Sequence, residues 1–242
     1  MPLFTYAQVF VDREVQAAAI LTLFLTVIST GLSAVVGLTI ALLLHKLAKG
    51  SMLLQTLLQL PIAVPHLAVA FILLNVMAPS GLIARLIVSN PQDFPVLVND
   101  AYGIGIIIVY VLKEAPFIAL VVLTTLVRTG DEFGIVARNL GATRWQKFRF
   151  VTLPIVSPAL AFSSLLVLSY VFGAFEIPYI LGRQFPSVLA MVGNRKFSGT
   201  DLDERPEAFA IAVLMTVASS FFVWFYLRLG QNSEEAGKPS LF

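Results

Sequence analysis

Apolar residues run for far longer than a water-soluble core needs, and they do so five times: Ala17 to Leu44, Leu53 to Ala78, Ala101 to Val127, Pro158 to Leu181 and Ala208 to Leu227. Crossing roughly 30 Å of hydrocarbon takes about 20 apolar residues in a helix, which satisfies its own backbone groups where no water reaches them. Each stretch therefore predicts a membrane helix. All are too long and too continuous for barrel strands, which alternate over about ten residues. Between them lie a short basic loop (His45 to Met52), a polar segment with Pro79, Gly81, Pro91 and Pro95, a middle loop (Arg128 to Ser157) and a charged loop (Gly182 to Glu207). No internal repeat or low-complexity tract interrupts the pattern. The predicted fold is all-α: one polytopic transmembrane domain over residues 1–242.

Composition agrees. The chain is 58% hydrophobic and 12% charged, against roughly 25% charged in an average soluble domain, and its mean hydropathy is +0.88. A core of this size cannot hide that much apolar surface from water, so the remaining solvent is lipid. A net charge of +2 implies no nucleic-acid surface, and the absence of cysteine excludes disulfides and thiolate metal sites. Asp12, Arg13 and Glu14 precede a run longer than a signal h-region, so no cleaved signal peptide is expected.

Five spans put the termini on opposite sides, which makes the loops two sets. One set holds Lys46, Lys49, Arg128, Arg138, Arg144, Lys147, Arg149, Arg228 and Lys238; the other holds Arg13, Arg85, Arg183, Arg195, Lys196 and Arg205. The positive-inside rule then predicts a cytoplasmic middle loop, an outside N-terminus and a cytoplasmic C-terminus.

The middle loop is longer than a connection needs to be, and it reads as a helix. Asp131 can N-cap it, Glu132 suits its positive end, and Phe133, Val136 and Leu140 recur at i, i+3, i+7 as an apolar stripe. Gly141 ends the helix or admits a neighbouring backbone, and Arg144, Trp145, Lys147 and Arg149 form a basic aromatic cluster before Leu153-Pro154 stops the segment. Periodicity alone fits two readings: a helix lying on lipid headgroups, or one that inserts into a groove on a partner.

The stretch Val136-Ala137-Arg138-Asn139-Leu140-Gly141-Ala142, followed by Val151-Thr152-Leu153-Pro154, resembles the EAA signature of permease subunits of binding-protein-dependent ABC importers. Ala137, Gly141, Leu153 and Pro154 match at the family spacing, and Val151 stands for an Ile. Ile135 and Val136 replace the usual Glu and first Ala, so a salt bridge made by that Glu is not implied. The similarity covers about Ala17 to Leu227, including Leu60-Pro61, Pro65-His66 and Arg205-Pro206-Glu207-Ala208, and is strongest to the spermidine/putrescine, sulfate, ferric-iron and thiamine permeases. Family permeases often carry a sixth span ahead of this core; the residues before Ala17 do not supply one, so the expectation is a five-span version or a chain lacking its first helix.

The resemblance implies a bacterial inner-membrane importer in which two permeases form the pore, the second being either another copy of this chain or, as is common among the most similar permeases, a related, different chain. Two ATPase subunits bind the coupling helices, and an extracytoplasmic binding protein delivers the substrate. The implied coupling residues are Asp131, Glu132, Phe133, Val136, Ala137, Arg138, Leu140, Gly141, Ala142, Arg144 and Trp145. No Gly-x-x-x-x-Gly-Lys-Ser/Thr loop occurs, so no cofactor is expected in this chain, and ATP and Mg belong to the partner ATPases.

Ionisable groups at membrane depth are costly and face a bundle interior or a wet cavity. Lys113 and Glu114 sit mid-span before Pro116; adjacent helix positions point about 100° apart, so their partners lie on other helices or subunits. Glu176, within Phe175-Glu176-Ile177-Pro178-Tyr179 in the outer half of the fourth span, could hold an ammonium group through charge and cation–π attraction. That favours a polyamine or another organic cation. His66, after Pro65, is a further pathway candidate, whereas the small-residue stripe Thr22, Thr26, Ser29, Thr30, Gly31, Ser33 and Gly37 reads as helix packing. For Lys113, Glu114, Glu176 and His66 a packing role competes with the pathway role. An ATP-independent channel or secondary transporter could use the same residues, but such proteins usually show paired repeats. An intramembrane enzyme lacks its motifs here.

Overall fold

The computed structural model describes residues 3–47, 52–130 and 132–236. Among these there is no β-strand. In chain order the helices are α1 (Leu3–Val11), α2 (Arg13–Leu47), α3 (Met52–Ala63), α4 (His66–Met77), α5 (Leu82–Ile87), α6 (Ile104–Thr129), α7 (Glu132–Asn139), α8 (Arg144–Lys147), α9 (Leu153–Gly173), α10 (Glu176–Leu181), α11 (Leu189–Ser198) and α12 (Arg205–Ala236). Five segments among the described residues are long and apolar enough to cross a membrane: Arg13–Lys46, His66–Ile87, Ile104–Thr129, Arg144–Gly173 and Leu202–Phe225.

Helix α6 is the axis of the bundle and packs against α2, α3, α4, α9 and α10. Val109, Tyr110, Ile118, Ala119 and Val122 on it are almost fully buried. The most extensive packing of α6 is against α2. Lipid tails are as apolar as the helix surfaces, so association depends on close packing, which small residues permit. Gly37 shows this directly: a Cβ there would lie 2.8 Å from the Ala115 carbonyl oxygen and 2.9 Å from Ile118 Cβ. Thr22 on the same stripe donates to the Ala18 carbonyl and accepts from the Leu189 N–H at 2.9 Å, tying α2 to α11.

Prolines revise two predicted spans. The stretch Leu53 to Ala78 divides at Val64-Pro65 into α3 and α4, because Pro65 has no N–H for the α3 carbonyls and starts α4 instead. The stretch Pro158 to Leu181 ends at Gly173. A continuous helix would need the missing Pro178 N–H to bond the Ala174 carbonyl, whereas in the first turn of α10 that donor is not required. Glu176 therefore opens a separate short helix and does not belong to the outer half of the fourth span. Leu153-Pro154 does not stop its segment either: α8 runs through a π-turn (Phe148–Thr152) into α9, and the wide turn absorbs the donor that Pro154 lacks. Helix α6 passes through Pro116 unbroken.

At the end of the bundle away from α7, Val9, Val15, Ala18, Val192 and Ile211 join α1, α2, α11 and α12 in a second apolar cluster. Lys196 closes it, 2.7 Å from Glu207 Oε2 and 3.3 Å from Asp12 Oδ2, and Arg195 pairs with Glu14 beside it.

Candidate functional site

Two places concentrate polar or exposed chemistry. The first is at mid-bundle, where α3, α4, α6 and α9 meet. Lys113 Nζ donates to the carbonyl oxygens of Pro61 at 2.5 Å, Ile62 at 2.9 Å and Val64 at 2.5 Å. An ammonium has three donors, and here the broken end of α3 takes all three. Glu114, one position on, points elsewhere and lies 2.9 Å from His66 Nε2. With its proton on Nε2, His66 donates to that carboxylate, and its ring packs on Tyr170 with centroids 4.6 Å apart. The partners of Lys113 and Glu114 are thus on other helices, as their angular separation requires.

A cavity of about 240 Å³ opens between these groups, lined by Ile62, His66, Lys113, Glu114, Phe117 and Tyr170 among others. Glu176, half-buried at the start of α10, does not line it, nor do Phe175 and Tyr179. The rings of Phe175 and Tyr179 stack on each other, centroids 5.0 Å apart, with Tyr179 largely exposed. Among the described residues Glu176 has no hydrogen-bonding or ion-pair partner. Tyr110 and Tyr170 escape sequence reasoning because a tyrosine in an apolar helix carries no local mark of what will face it.

The second place is the loop between α6 and α9. Asp131, predicted as the cap of α7, lies outside the described residues. Phe133, Val136 and Leu140 all project from α7 into the surroundings, Leu140 being 83% exposed, while Gly134 and Ala137 form its buried face. Trp145 is exposed as well. Gly141 ends the helix at φ +78°, with its N–H bonded to the Arg138 carbonyl and the Ala142 N–H to the Ala137 carbonyl. That is a Schellman stop, which needs a left-handed residue. Open space surrounds Gly141, so close approach of a neighbour is not its role within this chain. Thr143 and Gln146 then cap α8 reciprocally: the Thr143 hydroxyl accepts from the Gln146 N–H at 3.2 Å, and the Gln146 amide oxygen from the Thr143 N–H at 2.8 Å. The Thr-x-x-Gln spacing was the signal for this box.

A helical bundle of five apolar spans, with a short amphipathic helix packed by one face at one end, defines an integral membrane protein. Residues 33–232 match the family described as "Binding-protein-dependent transport system inner membrane component", and the chain belongs to that family. It is 30% identical over 223 residues to the inner membrane ABC transporter permease protein YnjC of Escherichia coli K12; the match covers 90% of this chain and 42% of that relative, so the chain spans less than half its length. The sulfate transport system permease protein CysT of the same strain is 28% identical over 221 residues, covering 88% of this chain and 76% of the relative. A solved bacterial alginate ABC transporter, in complex with an alginate pentasaccharide-bound periplasmic protein, shares the fold at a TM-score of 0.77 and 19% identity, over 96% of this chain and 83% of that one. Both sequence relatives are named as permease proteins, and family membership together with the five apolar spans makes this chain a multi-pass inner-membrane component of a transport system.

Proposed function

We propose that this chain forms one half of the translocation pathway of an ATP-driven importer and couples it to separate ATPase subunits. Its partners on this reading are two ATPases that hold ATP and Mg, a second, related permease, a substrate-binding protein on the opposite face, and membrane lipid. The α7 loop is cytoplasmic, as is the C-terminus, with the N-terminus outside. The observation that carries the reading is the stripe of Phe133, Val136 and Leu140, exposed on a helix whose inner face is already packed and whose end is fixed by Gly141. Apolar residues held outward at helical spacing suit a groove on a partner. Glu132, Ala137, Arg138, Ala142, Arg144 and Trp145 complete that docking segment, and movement of the ATPases would reach the spans through the continuous α8–α9 rod.

Family membership does not choose a solute, since relatives named for sulfate and for alginate share this fold. The choice rests on charge. The Lys113 ammonium is occupied by three carbonyls, His66 faces Glu114, and Glu176 lacks a cationic partner among the described residues. Two carboxylates without a free ammonium favour a small organic cation, a polyamine included.

The test is a mild-detergent pull-down of the tagged full chain from its native cells. Recovery of a phosphate-loop ATPase, lost on Leu140→Asp, is the expected result. Recovery of the intact chain alone, in detergent that preserves other membrane complexes, would overturn the reading in favour of an ATP-independent channel or secondary transporter. For the solute, uptake of a labelled polyamine should fall at least tenfold in Glu176→Gln; unchanged uptake removes Glu176 from the pathway.

A further inference from the structure

Where the α2 and α6 spans end and the α8–α9 span begins, the bundle holds a second cavity, of about 770 Å³. Leu42, Leu43, Leu126 and Ile155, all inside spans, form its apolar wall. Its polar wall carries Lys46, Arg138, Arg144 and Lys147. Lys46 and Arg144 are the terminal residues of their span segments, so the cavity lies at the shared end of these spans, beside the last apolar residues of each. Among the described residues no carboxylate lines it, and the side chains of these four cations have no hydrogen-bond or ion-pair partner there; His45, which also lines the cavity, already has a partner of its own. Lys147 is half-buried with its ammonium against Gly134, where any Cβ would collide with it. Four like charges around one space repel each other unless an anion sits among them.

We propose that this cavity binds the phosphate of an anionic phospholipid, the headgroup among Lys46, Arg138, Arg144 and Lys147 and an acyl chain along the leucine wall. Inorganic phosphate shares the headgroup chemistry, but it has no use for the apolar half of the cavity. Position at the shared end of the spans and a lining divided into apolar and cationic walls both point to lipid. Phe133, Arg138 and Arg144 belong both to this cavity and to the proposed docking segment, whereas Val136, Leu140 and Trp145 lie outside it; lipid retention by the chain on its own tests the site without any ATPase present.

The test uses the full chain reconstituted with equimolar phosphatidylglycerol and phosphatidylcholine, released into detergent and weighed intact with its bound lipids. Phosphatidylglycerol should be retained in preference, and Lys46→Gln/Lys147→Gln should reduce the preference about fivefold for each cation removed. Arg85→Gln/Arg183→Gln, at the other end of the bundle, should leave it unchanged. Equal retention of the two lipids, or the same loss in both double variants, overturns the proposal. Titration of the lipid-free chain with inorganic phosphate separates the sources: saturable binding that depends on Lys147 overturns the lipid assignment. A photoactivatable phosphatidylglycerol, crosslinked to the unaltered chain and mapped by peptide mass, covers the case in which the double variant does not fold. Crosslinks within residues 39–46 and 126–155 support the site, and their absence there overturns it.

Discussion

The Lys113 ammonium lies 2.5 Å from the carbonyl oxygen of Pro61, on a helix whose last turn cannot close because Pro65 has no N–H. A charge placed at mid-membrane for packing reasons is thereby distinguished from one placed there for a solute. Lys113→Met keeps the length and removes the donors, leaving the carbonyls of Pro61, Ile62 and Val64 without their partner. Each buried acceptor left unsatisfied costs about 1–3 kcal/mol, so the variant should melt well below the wild type in detergent. Thermal unfolding of the purified chain measures this. A melting point within a degree or two of wild type would show that Lys113 does not hold the α3–α4 break.

Gly141 separates backbone conformation from contact. A side chain there meets nothing within 4 Å, yet φ is +78°. Gly141→Asn should therefore keep α7 and its docking function, because asparagine tolerates the left-handed region. Gly141→Val, β-branched, should lose about 1–2 kcal/mol at the helix stop and uncouple uptake from ATP hydrolysis. Transport-coupled ATPase rates of the two variants, at matched expression, check the contrast. Equal loss in both would mean that a partner's surface fills the open space and that the glycine is needed for contact.

Much of this architecture was readable in the sequence because lipid enforces it. Long apolar runs mark spans whatever packs beside them, and the stripe of Phe133, Val136 and Leu140 carries its own period. Breaks within apolar runs were harder to read. Hydropathy continues through Val64-Pro65 and through Ala174-Phe175; Pro65 itself signals a kink or a helix start at the first break, whereas Pro178, four residues beyond the second, gives no such mark at Ala174. The same residue type passes unnoticed at Pro116, inside a packed continuous helix. Partners were least legible. The angle between Lys113 and Glu114 separates their directions, but only the folded bundle brings His66 to one and the end of α3 to the other.

The contact between His66 Nε2 and Glu114 Oε1 should be energetically coupled. Charge-assisted hydrogen bonds across partly buried sites contribute roughly 1.5–3 kcal/mol. His66→Gln and Glu114→Gln, alone and together, form a double-mutant cycle read by thermal stability. The expected interaction energy is about 1 kcal/mol or more. Additive effects would show that the two side chains act independently. Uptake measured on the same proteins then reports on the pathway, since a purely packing pair recovers transport once stability is matched by lowering the temperature.

Lys196 gives a pH dependence outside the membrane-spanning segments. Burial by itself lowers its pKa, but the hydrogen bonds and charges of Glu207 and Asp12 more than offset that, and the net shift is upward. A lysine whose folded pKa exceeds its unfolded value contributes stability that is complete below the unfolded pKa and lost as pH rises through the folded one. The tie of Lys196 on α11 to Asp12 and to Glu207 on α12 should therefore hold at neutral pH and, on the alkaline side, weaken only above about pH 10.5, the ordinary lysine value. Lys196→Met removes the cation between two carboxylates that are each still about a quarter exposed. The cost should be about 2 kcal/mol, below the 3–5 of a fully buried pair. Melting curves from pH 7 to pH 11 should show a fall at the alkaline end for the wild type that is reduced in the variant. Parallel curves for the two proteins would mean that the groups titrating in this range lie elsewhere and that Asp12, Lys196 and Glu207 do not hold this end of the bundle together.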